Sequence, residues 1–200
     1  MIAAEVWKQF FVVKYVYRGE PSTWFLPWQL CSMAMYCSAI VPFLKGRAQE
    51  AVLVFLSSFT LVAAVAALLF PGDMMRPQIL LFCHSFTYHF VMIIESLAAL
   101  FVLSKRKRAG FLPAVFLYLM LAAVAEVINV ISHAIINNTH TEANMFYITP
   151  YYPSTQPIFH WIAVKFGIAT EIVLYLGVVI LASFLVYSLE RATALRGSGD

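Results

Sequence analysis

The stretch PQILLFCHSFTYHFVMIIESLAALFVLS, residues 77–104, contains one acidic residue, Glu95, and no lysine or arginine. A helix that crosses a bilayer needs about 20 predominantly apolar residues, so this run reads as a membrane span. It also holds Cys83, His84, Tyr88 and His89. Hydrocarbon offers no water to such groups, so they must face other protein groups or a wet cavity, and polar side chains at membrane depth mark a functional site.

Similar apolar runs lie at 24–44, 49–70, 111–136 and 157–189. With 77–104 they predict an all-α membrane protein, a polytopic bundle of five transmembrane helices in one integral membrane domain, residues 1–200. Residues 190–200 form its tail, with a frayed Gly197–Asp200 end. Residues 1–18, interrupted by Lys8 and Lys14, lack the pattern of a signal peptide and read as an N-terminal interfacial or partial helix. Hydrophobic residues make up 62% and charged residues 12% of the chain, with a mean hydropathy of +0.82. Soluble domains are about 25% charged, so a soluble enzyme is excluded.

The net charge of +3 sits mostly at helix ends, where it reports topology rather than a nucleic-acid surface, and no nucleic-acid partner is implied. With five spans, Lys45 and Arg47, the run Lys105–Arg108 and the tail arginines Arg191 and Arg196 share one side. The positive-inside rule makes that side cytoplasmic. The expected location is the plasma membrane, with the C-terminus inside and the loop 137–156 outside. Lys8, Lys14 and Arg18 then fall on the outer side, against the rule. The partners implied are membrane lipids and the bilayer itself; no cofactor is implied and no oligomeric state follows.

Three cysteines, Cys31, Cys37 and Cys83, lie in apolar stretches at irregular spacing, which matches neither a disulfide framework nor a zinc pattern. At a rise of about 1.5 Å per helical residue, Cys31 and His84 fall at one depth, about 10 Å below the outer surface. Asn129 and Lys165 fall in the same layer, with His133 just above. Glu126, Asn129 and His133 share one helix stripe, and His84, Tyr88 and Glu95 share another. Ser85, His89 and Ser96 adjoin that second stripe.

A thiol beside an imidazole is the minimal nucleophile and base pair, which makes Cys31 and His84 the candidate catalytic residues. The alternative is a small buried cysteine and a hydrogen-bonded core histidine. Metal binding is a weaker rival: His84 and His89 stand about 140° apart around a helix and cannot chelate together. Glu126 and Glu171 are candidate proton carriers or internal partners of Lys165 and the histidines. The run Phe146–Tyr152 reads as an aromatic interfacial belt or a ligand lid.

The segments Leu26-Pro-Trp-Gln-Leu-Cys31, Phe82-Cys-His84 and Ala143-Asn-Met-Phe-Tyr-Ile-Thr-Pro150 together resemble the YwaF-like family of integral membrane proteins over residues 24 to 185. That family is related to the transmembrane ether-phospholipid acyltransferases. The resemblance implies a nucleophile at Cys31, a histidine partner at His84 and a structural or gating role for Asn144, Tyr147 and Pro150. Gln29 stands where many bacterial members carry histidine, and members usually begin with one more full membrane helix.

The expected function is therefore an intramembrane lipid-acyl transferase or hydrolase using a Cys/His pair in the outer half of the bundle. Gln29 or Asn129 would steady the oxyanion, and Tyr88, Glu126, His133, Asn144, Tyr147 and Lys165 would support the site. The alternatives are a small-solute or proton-coupled binding or transport protein without covalent chemistry, and a structural subunit held together by its polar layer.

Overall fold

The computed structural model describes residues 1–18, 20, 22–104, 110–136 and 141–196. The basic run 105–108, the polar stretch 137–140 and the terminal 197–200 lie outside the described residues. Every regular element among the described residues is a helix, with no strand. Helix α1 covers Ile2–Phe11 and continues as a π-helical turn, Val12–Tyr17. Helix α2 covers Ser32–Ile40 and ends in a 3-10 turn, Val41–Phe43. Four longer helices follow, α3 (Gly46–Leu69), α4 (Ile79–Ser104), α5 (Leu112–Ile136) and, after the short α6 (Pro157–Phe166), α7 (Ile168–Arg196).

Helices α3, α4, α5 and α7 are long and apolar enough to cross a membrane. The fifth expected span, 24–44, is corrected: its helix begins only at Ser32, and Ser32–Phe43 is too short to cross. Pro27 supplies the local reason, because a proline pushes the residue before it out of helical backbone. The expected helix 157–189 is divided at Gly167, whose φ of +92° is open to glycine and strained in other residues.

Within the bundle α3 is the central post. Of its apolar window 56% is buried, against 22–28% for the other three, and it packs on α4, α5 and α7. A π-helical turn, Phe55–Phe59, widens α3 at mid-length, so that Phe59 stacks on Phe55, Phe111 and Tyr118 at ring separations of 5.3, 5.5 and 5.0 Å. Phe111 in turn meets Phe184 and Tyr187 of α7. The outward face of α4 carries Phe90, Ile94, Leu97 and Phe101, each more than half exposed. A row of that kind is stable only against lipid.

Helix α1 departs from the interfacial reading. An interfacial helix turns its charged face to water. Here Glu5 is buried at 5% exposure while Ile2, Val6, Phe10 and Val13 face outward. The helix thus presents polar groups to the bundle and apolar groups to the outside.

Phe59 is fully buried and Leu112 is 77% exposed on the outer face. Phe59→Ala is expected to cost about 3–5 kcal/mol, and Leu112→Ala little, as measured by thermal unfolding in mild detergent.

Candidate functional site

Residues 22–31 enter the end of the bundle without helical hydrogen bonds of their own, and side chains meet their backbone instead. Gln9 Nε2 donates to the Phe25 carbonyl at 2.7 Å, the Phe25 N–H donates to the Tyr17 hydroxyl at 3.0 Å, and the Tyr36 hydroxyl donates to the Pro27 carbonyl at 3.0 Å. The backbone N–H groups of Thr23 and Trp24 donate to the Thr141 carbonyl at 2.8 and 3.1 Å. The Thr23 and Ser132 hydroxyls also bond one another.

Two carboxamides then fasten this segment and α5 to the loop after α5. Gln29 donates to the Asn144 carbonyl at 2.8 Å and accepts from the Phe146 N–H at 2.9 Å. Asn129 donates to the Met145 carbonyl at 3.1 Å and accepts from the Met145 N–H at 2.6 Å. Asn144 Oδ1 accepts from the Thr149 N–H at 3.2 Å. The Tyr147 hydroxyl donates to Asp73 Oδ2 at 2.8 Å, in the turn between α3 and α4. Phe146 and Tyr147 are held at φ of +57°, a region that costs a side-chain-bearing residue about 1–3 kcal/mol.

This framework sets the thiol. Cys31 is partly exposed and lies beside the imidazole of His89 in α4, close enough for each to act on the other's titration. The expected pairing with His84 is corrected. A helix over 24–31 would have advanced about 1.5 Å per residue; the irregular chain carries Cys31 deeper, to a histidine five positions, or about 7.5 Å, farther along α4. His84 serves elsewhere. Its ring stacks on Trp7 of α1 at 5.9 Å and on Tyr88 at 5.7 Å. It docks α1 onto α4.

His89 is oriented for proton transfer. Its Nδ1 lies 2.7 Å from the Ser85 carbonyl, and because a carbonyl only accepts, Nδ1 carries the proton and Nε2 keeps the lone pair. Burial pushes the Cys31 thiol up, but the neighbouring His89, followed by the charge of Lys8, outweighs it and holds the thiol below its ordinary value. Lys8 is paired to Glu5 at 2.7 Å, and Glu5 also accepts from Gln9 at 2.7 Å. The polar side of α1 thus belongs to the surroundings of the thiol, a contribution that reading residues 1–18 as interfacial missed. The Tyr88 hydroxyl is buried and has no hydrogen-bond partner among the described residues.

The other expected site residues divide. Gln29, Asn129 and Asn144 spend their side chains on loop backbone, so Gln29 and Asn129 are positioning residues rather than oxyanion donors. Glu126 accepts from Asn129 at 3.4 Å. His133 donates from Nδ1 to Glu142 Oε2 at 2.9 Å and stacks on Tyr151 at 3.6 Å, which holds the loop over the end of α5. Tyr147 braces the loop on Asp73 and lies within electrostatic reach of Cys31. Lys165 is corrected: it is exposed on α6 with its ammonium 5.0 Å over Trp161, outside the polar layer.

A family model described as the TMEM164 family matches residues 3–187, and the chain belongs to that family. This corrects the resemblance to the YwaF-like family, which is a different family; the short motifs behind that resemblance span few residues, whereas the match runs from α1 into α7. The roles that the resemblance implied for Cys31 and His84 lose that support. No curated protein and no solved structure matches the chain.

With Cys37 and Cys83 replaced by Ala, alkylation of Cys31 by iodoacetamide should have its pH midpoint below that of an ordinary thiol. His89→Ala should raise the midpoint and His84→Ala leave it in place. An unmoved midpoint in the His89→Ala chain contradicts the pairing.

Proposed function

We propose that this member of the TMEM164 family is an intramembrane lipid-acyl transferase or hydrolase in which Cys31 is the nucleophile and His89 the general base and acid. The observation that carries the reading is the placement of the Cys31 thiol beside His89, whose Nδ1 is tied to the Ser85 carbonyl. A buried imidazole fixed in one tautomer beside a thiol is the arrangement that activates cysteine. The apolar outer faces of the helices favour an acyl chain as the part of the substrate that reaches such a pocket.

The reaction balances as follows. His89 Nε2 takes the thiol proton and the thiolate attacks the ester carbonyl carbon, forming a C–S bond. The oxyanion of the tetrahedral intermediate takes a hydrogen bond from the Tyr88 hydroxyl, a buried donor without a partner among the described residues. The C–O bond then breaks, and the leaving alkoxide takes the proton back from His89. Acceptor hydroxyl or water then attacks the thioester carbonyl carbon and gives its proton to His89; the C–S bond breaks, and the leaving thiolate takes that proton back to become the thiol again. A hydroxyl acceptor makes the protein a transferase, water a hydrolase.

The same reading puts the bundle end that carries Lys45, Arg47 and Arg191 in the cytoplasm of a plasma-membrane protein, and the loops 71–78 and 141–156 outside. A second reading, small-solute or proton-coupled binding, draws on Glu171, which is 1% exposed in α7 with its carboxylate against the Ser154 backbone. Stabilisation by a solute without any covalent intermediate would favour it.

A chloroacetamide on a long acyl chain should label the purified chain at Cys31. Cys31→Ala should abolish labelling, and His89→Ala should slow it by about 10²–10⁴-fold, the usual worth of a positioned base. Undiminished labelling of a folded Cys31→Ala chain overturns the assignment.

A further inference from the structure

Beside the thiol site, at the same end of the bundle, a cleft of about 570 Å³ opens between the chain after α1, the turn before α4 and the loop before α6. Its walls are aromatic, with Tyr17, Trp24, Phe25 and Tyr152, and Arg76 is the charged residue that lines it. The Arg76 guanidinium lies 4.9 Å over the Phe25 ring, and stacking of that kind fixes the plane of the guanidinium while leaving its edge free to donate. No carboxylate among the described residues comes within ion-pair distance of it. Its Nε–H is buried and has no hydrogen-bond partner among them.

The neighbouring acid explains the vacancy of partners. Asp73 stands three positions before Arg76 and is the nearest acid to it along the chain. Asp73 Oδ2 instead accepts from the Tyr147 hydroxyl at 2.8 Å and the Thr155 hydroxyl at 3.0 Å. The carboxylate is held by the loop, and the guanidinium is left facing the cleft.

We propose that this cleft is a binding site for a phosphate ester, with Arg76 as the group that takes the phosphate oxygens. A planar guanidinium with an unspent N–H edge matches two oxygens of a phosphate, and arginine is the residue suited to that geometry. The volume falls in the range that encloses a small organic ligand rather than a bare ion, and the aromatic walls suit the carbon skeleton that carries the phosphate. Thr155 links the cleft to the thiol site, because it shares the Asp73 oxygen with Tyr147. The site does not require acyl transfer at Cys31 and stands without it.

The test uses the full chain in an uncharged maltoside detergent, with thermal unfolding followed on addition of dihexanoyl phosphatidic acid, glycerol 3-phosphate or inorganic phosphate. Sodium chloride of equal ionic strength serves as the control. The short-chain lipid should raise the unfolding temperature saturably in the native chain and in Cys31→Ala. Arg76→Gln should weaken the response by roughly tenfold or more, the worth of a lost charged hydrogen bond, and Arg76→Lys should recover part of it. Arg18→Gln, at an exposed arginine outside the cleft, should change nothing. A response to the lipid alone makes a headgroup the source of the phosphate, and an equal response to glycerol 3-phosphate makes it a soluble ester. A response equal for inorganic phosphate and both esters, or one that survives Arg76→Gln in a folded chain, overturns the proposal, as does the absence of any response.

Discussion

Chain that leaves helical geometry at membrane depth finds no water there, so the protein itself must meet its N–H and C=O groups. Residues 22–31, packed into the end of the bundle, meet the same demand, and much of the site follows from how they do so. A carboxamide carries one donor group and one acceptor, as a peptide unit does. Gln29 and Asn129 use theirs to form rungs with the backbone of residues 144–146. Each irregular segment becomes the hydrogen-bonding partner of the other, and Asp73 ties both to the turn between α3 and α4 through Tyr147.

The thiol inherits its position from that mutual support. Cys31 stands where the irregular chain gives way to α2, and the depth it reaches is set by loop hydrogen bonds rather than by helical rise. It therefore meets His89. His84, five residues nearer the helix start, is taken by α1 through Trp7. The positive φ of Phe146 and Tyr147 is tolerated because the residues around them are held from three sides, and the same loop keeps Asp73 away from Arg76. Membership of the TMEM164 family covers all these parts, from α1 into α7, without itself assigning an activity.

Much of the bundle was legible from apolar runs and their interruptions. Pro71-Gly-Asp73 and the charged run after Ser104 delimit α3 and α4, whose predicted bounds differ from the observed ones by only a few residues. The run 24–44 misled because apolar content measures burial, and irregular chain packed inside a protein is as apolar as a span; Pro27 was the available signal. Gly167 likewise lay inside a continuous apolar run, where only its backbone conformation reveals the break. Cys31 and the amides Gln29 and Asn129 were recognisable as polar groups in hydrocarbon. The identity of the histidine partner was not, because His84 and His89 lie only five residues apart on one helix and depth was counted from a helix start that does not exist. The inward polar side of α1, with Glu5, Lys8 and Gln9, escaped because a short helix with charges and aromatics has the composition of an interfacial one, and only packing shows which face is turned in.

The most direct test of this arrangement is covalent. In a chain with Cys37→Ala and Cys83→Ala, Cys31 should form an intramolecular disulfide under mild copper–phenanthroline oxidation when combined with His89→Cys, seen by mass spectrometry as the loss of both free thiols. The same treatment combined with His84→Cys should leave both thiols free. Closure at position 84 with none at 89 would contradict the account.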